Sequence, residues 1–150
     1  MWRRVVEQAR DPVWYRDGGV ADTLEGRFDM VTLVLALVVL RMERSPTLAA
    51  QTAPLTEIFV EEMDGQLRQS GVGDLMVGKQ IGRLVATLGG RIGALRAALA
   101  EQGTSLAKVV ERNITLRQDA DAGAIAAGLG ALAARLDATG DAALMAGNIA

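Results

Sequence analysis

The chain has no cysteine and no histidine. The first absence excludes disulfides, thiolate metal sites and cysteine nucleophiles. The second removes the commonest general base, the commonest metal ligand and any Ser-His-Asp triad. Aromatic residues are 3% of the 150, so the core has to be built from Leu, Val, Ile, Ala and Met. No charge dominates either. With 16 basic and 18 acidic residues the net charge is −2, which gives no global positive field for DNA or other nonspecific nucleic-acid binding. A membrane-length apolar run is also missing. The strongest run, MVTLVLALVVL at residues 30–40, rises only about 16 Å as a helix, roughly half a bilayer core. It predicts a helix buried on nearly every side of a soluble protein, with surface contact to a membrane left open but no span.

Half of the residues are apolar, and they recur at helical rather than alternating spacing. Trp2, Val5, Val6 and Ala9 share one face of a short first helix. Asp11-Pro12 starts a turn carrying Trp14 and Tyr15, closed by Gly18-Gly19. Asp22 is read as the N-cap of a long helix to about Arg44, with Glu25 as its capping-box partner. Ser45-Pro46 stops that helix and can start another, and Pro54 resets the chain again. Residues 55–69 put Ile58, Phe59, Met63 and Leu67 on one face, and Glu57, Glu61 and Asp64 on a solvated one. Residues 75–102 form the clearest helix, with a seam of Ile81, Leu84, Leu88, Ile92, Leu95 and Leu99. Beside the seam runs a row of small residues: Gly78, Gly82, Ala86, Gly89, Gly93 and Ala97. Glycine costs a helix up to about 1 kcal/mol each relative to alanine, so another helix is expected close over the row, from within the chain or from a second protein.

Gly103 ends that helix and Thr104 caps the next, with Leu106, Val110 and Ile114 inward. Residues 120–138 offer Ile125, Leu129, Leu132 and Leu136 as a stripe. The last ten residues add a short turn or fray. The expectation is an all-α, single-domain compact fold of about six helices over residues 1–150.

Residues 73–80, GDLMVGKQ, come within one residue of a phosphate-binding loop. That loop needs a buried strand before it and a Ser or Thr on magnesium after it. Here the preceding segment is helical and the magnesium position is Gln80, so the stretch reads as a glycine turn with Lys79 exposed. The acids Glu57, Glu61, Glu62 and Asp64 have no histidine to complete a di-iron bundle. No cofactor, metal or catalytic residue is expected. Between Lys79 and Arg117 seven basic residues meet only Glu101 and Glu111, a local excess suited to an acidic partner, ribosomal RNA or anionic lipid.

Two blocks carry a family resemblance. The first is Trp14-Tyr15-Arg16-Asp17-Gly18-Gly19-Val20-Ala21-Asp22-Thr23, then Gly26-Arg27-Phe28-Asp29-Met30 and the aliphatic run. The second is Asp64, Leu67-Arg68, Gly71-Val72-Gly73-Asp74-Leu75 and Val77-Gly78-Lys79. Gly90-Arg91 and Glu111-Arg112-Asn113 add a weaker third. The pattern resembles the ubiquinol–cytochrome c chaperone family. That resemblance implies a non-enzymatic, all-helical assembly factor that binds newly made cytochrome b beside a small partner chaperone near the ribosome. It implies a bacterial member, cytoplasmic or peripheral at the inner membrane. The family often has His where Val34 stands, and aromatics near Leu88, Gly89 and Leu95. The polar motif residues that a core would not require, Arg27, Asp64, Arg68, Asp74, Lys79 and Arg112, are the candidate protein-binding residues. A generic helical scaffold, homodimeric or not and unrelated to respiration, is the alternative.

Overall fold

The computed structural model describes residues 1–100 and 106–149. Helices α1 (Trp2–Ala9), α2 (Pro12–Arg16), α3 (Leu24–Glu43), α4 (Thr52–Gln69), α5 (Asp74–Ala100), α6 (Leu106–Asn113), α7 (Ala122–Ala138) and α8 (Asp141–Met145) follow in order. A single 3₁₀ turn (Ala49–Gln51) precedes α4, and no strand occurs among the described residues. The six longer helices are those expected; α2 falls on the turn expected at Asp11-Pro12, and α8 lies in the last ten residues, where a short turn or fraying is expected. Among the described residues no helix is long and apolar enough to cross a membrane.

The apolar run behaves as its composition dictates. Thr32 through Leu40 are all buried, and α1, α5 and α7 pack around α3. Each Leu or Val so covered contributes roughly 1.5–3 kcal/mol relative to exposure, which makes α3 the axis of the core. Val5 and Ala9 of α1, and the whole predicted stripe of α7, are buried against the same cluster. Gly128 lets the Trp14 ring lie against α7: a Cβ there would come within 2.7 Å of the indole. The indole Nε1 donates to the Gln8 carbonyl at 2.9 Å.

Several local expectations give way to tertiary geometry. The N-cap of α3 is Thr23, whose hydroxyl accepts from the Gly26 amide at 3.1 Å; Asp22 turns instead to Arg27. Pro54 does not reset the chain. It lies in the first turn of α4, where the missing N–H would have had no intrahelical partner. Ser45-Pro46 opens only a turn, and the Ser45 hydroxyl is engaged by Asp141. On α4, Leu55 and Phe59 are buried while Ile58 stays 40% exposed. In the tail Asp141–Met145 form α8, with Leu144 and Ile149 buried. The proposed stop at Gly103 and cap at Thr104 lie outside the described residues.

The largest correction concerns α5. Its Ile/Leu seam does face inward, with Leu88 and Leu95 fully buried and the other four half-buried. Among the described residues the adjacent small-residue row has no helix over it. Gly78, Gly82, Ala86, Gly89, Gly93 and Ala97 are all exposed, and a Cβ built on any of the four glycines meets nothing within 4 Å. The seam and the row are about a third of a turn or more apart, so burying one turns the other to solvent.

Candidate protein-interaction surfaces

One polar cluster anchors the scaffold. At the first buried turns of α3, Asp29 meets Arg91, which projects from the inward face of α5 between Leu88 and Leu95. Arg91 Nη2 donates to Asp29 Oδ1 at 2.8 Å and to the Asn113 carbonyl at 2.9 Å, and its Nη1 donates to the Thr32 hydroxyl. The guanidinium also lies 5.8 Å from the Phe28 ring centroid. Asp29 Oδ2 accepts from both the amide and the hydroxyl of Thr115, each at 2.8 Å. Both charged side chains are 9% exposed. A buried pair repays desolvation only when its remaining polar atoms are satisfied, and here all but Arg91 Nε are. The cluster ties α3, α5 and the segment after α6 to one another.

The segment it holds continues into a tight corner. Val20 bridges Leu116 in antiparallel fashion, the Ala21 amide donates to the Thr115 carbonyl at 2.9 Å, and the Arg117 amide donates to the Gly19 carbonyl at 2.8 Å. Gly19 adopts φ +83°, and a Cβ on Gly26 would stand 1.9 Å from the Ala21 carbonyl oxygen. The glycines of the first motif block are therefore structural.

The second block forms an exposed tip. Gly71, at φ +84°, lets the chain leave α4, with the Val72 amide donating back to the Leu67 carbonyl at 3.1 Å. Arg68 then spans the connection. Its Nε donates to Asp64 at 2.6 Å and its Nη1 to Asp74, the first residue of α5. The hydrogen bond to Asp64, then that to Asp74, raise its pKa above the ordinary arginine value. Three of the predicted binding residues thus come together as one ion-paired clasp, all of it solvent-accessible. Leu75 and Met76 project beside it, 95% and 47% exposed. Lys79 lies just beyond, exposed and without an ion pair among the described residues. No strand precedes this turn, as the rejection of a phosphate loop requires.

The other two predicted residues lie elsewhere. Arg27, in the first turn of α3, pairs with Asp22 at 2.8 Å. Arg112 is exposed in the last turn of α6, with no ion pair among the described residues. The basic excess after Lys79 does not form one patch. Arg91 is buried, Arg96 pairs with Glu43 at 2.7 Å, and Arg117 lies against the Arg16 carbonyl. Among the described residues no group of acids is arranged to hold a metal ion. Sequence reasoning missed the Asp29–Arg91 pair as a unit. Its signal was an arginine in the Leu84, Leu88, Leu95 face, where a charge has no business unless paired.

The described residues form a helical scaffold with a buried polar lock, exposed ion-paired clasps and an open face on α5. Residues 16–150 match the family model described as ubiquinol-cytochrome C chaperone. The crystal structure of the Cbp3 homolog from Brucella abortus superposes with a TM-score of 0.83 at 32% identity, over 99% of this chain and 84% of that one. No curated protein gives a significant match. The chain belongs to the ubiquinol–cytochrome c chaperone family.

Proposed function

We propose that the protein is a non-catalytic assembly chaperone for ubiquinol–cytochrome c reductase, and that it holds newly made cytochrome b on the outer face of α5. Family membership supports the class. The observation that carries the surface is the uncovered row itself. Along 27 residues, about 40 Å, α5 turns Gly78, Gly82, Ala86, Gly89, Gly93 and Ala97 to solvent, headed by Leu75. Four helix-weakening glycines on an open face are unexplained by folding. They suit the close approach of another apolar helix, and small residues are what membrane helices pack against. Lys79 and the Asp64–Arg68–Asp74 clasp border this face and would meet the polar ends of the client. On this reading the protein works at the cytoplasmic side of the inner membrane, where such a client would be inserted.

A deletion strain growing by respiration tests the reading. Cytochrome b absorbance and reductase activity should fall together and return with the wild-type gene. Normal cytochrome b in that strain would sink the client assignment. Dimerisation of the purified chain that Ala86→Leu abolishes would give the α5 face to a second copy instead.

A further inference from the structure

The polar residues of the first motif block, beyond those that build the corner, converge on a second surface that the client assignment leaves unused. A recess of about 610 Å³ is lined by Arg10, Arg16, Arg27 and Arg117 around Tyr15, with Asp22 as its one carboxylate. Four guanidiniums against one carboxylate is a local concentration of charge that a chain of net −2 does not impose. Arg27 is paired with Asp22, whereas Arg10, Arg16 and Arg117 make no ion pair among the described residues. The neighbouring acids do not enter it: Asp11 caps α2, Asp121 caps α7, and Asp17 and Asp119 lie outside its lining. Tyr15 is held in place by donating to the Ala9 carbonyl at 3.0 Å. Like charges gathered this way repel unless an anion joins them, and guanidinium forks match carboxylates well.

Arg10 and Arg27 also form the edge of a second recess, about 900 Å³, between α1, α3 and α4. Its lining is mostly apolar, including Val6, Leu24, Phe28, Val31, Ile58 and Met63, with Leu24 77% exposed and Ile58 40%; it also holds Arg3, Gln66, Glu62 and Glu7, the last ion-paired with Arg4 at 2.8 Å. The two recesses share Arg10 and Arg27 and so adjoin as a trough, mostly apolar on the α4 side and cationic around Tyr15. A single-stranded nucleic acid would need free aromatic faces for its bases. Phe28 and Trp2 instead pack against Phe59, with ring centroids 6.4 and 6.0 Å away.

We infer that this trough is a docking site for a partner-protein segment that carries apolar side chains followed by a cluster of carboxylates. The inference rests on reading the chain as a protein-binding factor, but not on cytochrome b being the client, since it shares no residue with the α5 face.

The test selects helical peptides from a displayed random library on the purified chain. The selected peptide and its Glu/Asp→Gln/Asn counterpart are then titrated, with Trp2 fluorescence as readout. Selected sequences should place two or more acids beside an apolar pair. The amide counterpart should bind at least about tenfold more weakly, as should the parent peptide to the Arg16→Gln/Arg117→Gln variant, and binding should weaken with salt. Arg10→Gln/Arg16→Gln is the second variant, since neither side chain holds another element in place. Selection without acidic enrichment, or full binding by both folded variants, would overturn the site. So would displacement of the peptide by a single-stranded RNA oligonucleotide or by phosphatidylglycerol vesicles, which would assign the arginines to a polyanion. Peptide binding with normal cytochrome b in the deletion strain would remove the client assignment alone. Lost cytochrome b with no peptide binding would remove the trough alone.

Discussion

The corner around Gly19, Gly26 and Asp29 and the tip between α4 and α5 are made from the same residue types, glycine, aspartate and arginine, and they behave oppositely. At the corner a Cβ on Gly19 would collide with Ala120 and one on Gly26 with the Ala21 carbonyl, and the ion pair is buried among three elements. At the tip a Cβ on Gly71, Gly73 or Gly78 would meet nothing within 4 Å, and the direct ion pairs of Arg68 with its two aspartates are solvent-exposed. Motif membership alone does not separate a residue that holds the fold from one that is offered to a partner. Surroundings do, because desolvation multiplies the cost of losing a polar partner while solvent erases it.

The sharpest way to break this contrast is Arg91→Ala. It strands the Asp29 carboxylate in the core and should cost about 3–5 kcal/mol in urea unfolding. The paired change Asp29→Leu with Arg91→Met should recover much of that. Gly26→Ala comes next, at about 1–3 kcal/mol, because the added carbon collides with a carbonyl rather than a movable side chain. Its counterpart at the tip, Gly73→Ala, should be neutral within about 0.5 kcal/mol. Equal losses at the two glycines would end the distinction.

Asp141 provides an intermediate case with a pH signature. Its carboxyl is held below the ordinary aspartate value, first by the Ser45 hydroxyl and then by Arg41. A depressed folded pKa means that the contribution is complete above the unfolded value, near 3.8, and is lost as pH falls through the lower folded one. Urea midpoints of wild type and Asp141→Asn should therefore differ at pH 7 and converge in strong acid. Arg68→Ala should lower the midpoint slightly, and less in high salt. Ala86→Leu has the smallest expected effect on stability, within about 0.5 kcal/mol, since it faces solvent. If its melting temperature falls as a core substitution would, the α5 face is covered and the client reading loses its surface.

Much of the fold was legible because the signals were periodic and local. The apolar run of α3 was long enough to demand burial all round, and the stripe of α7 could face only one way. What escaped was whatever distant partners decide. Thr23 displaced Asp22 as cap because Arg27 took the aspartate. Pro54 read as a break because the helix start upstream of it had no capping signal. The glycine row was read as a packed seam because small residues signal close approach, yet the sequence does not say whether the approaching helix belongs to the same chain. Of the six candidate binding residues, three proved to be one clasp, a grouping set by the Gly71 turn. The trough was not legible, since Arg10, Arg27 and Arg117 are brought together only by the corner.

Arg41 reaches from α3 to the far end of the chain, donating to the Leu136 carbonyl at 3.0 Å and to the Thr139 carbonyl and Asp141 at 2.8 Å each. Its partners are 95 to 100 residues later in the sequence. At about 5–20 residues per second on a ribosome, α3 is made roughly 5–20 seconds before α7 and α8 exist to cover it. For that interval the most apolar segment of the protein lacks its α7 cover. Synthesis that stalls after α6 should leave an aggregating fragment even though six of the eight helices of the described residues have been translated, and speeding or slowing the ribosome over residues 114–141 should change the soluble yield without any change in sequence.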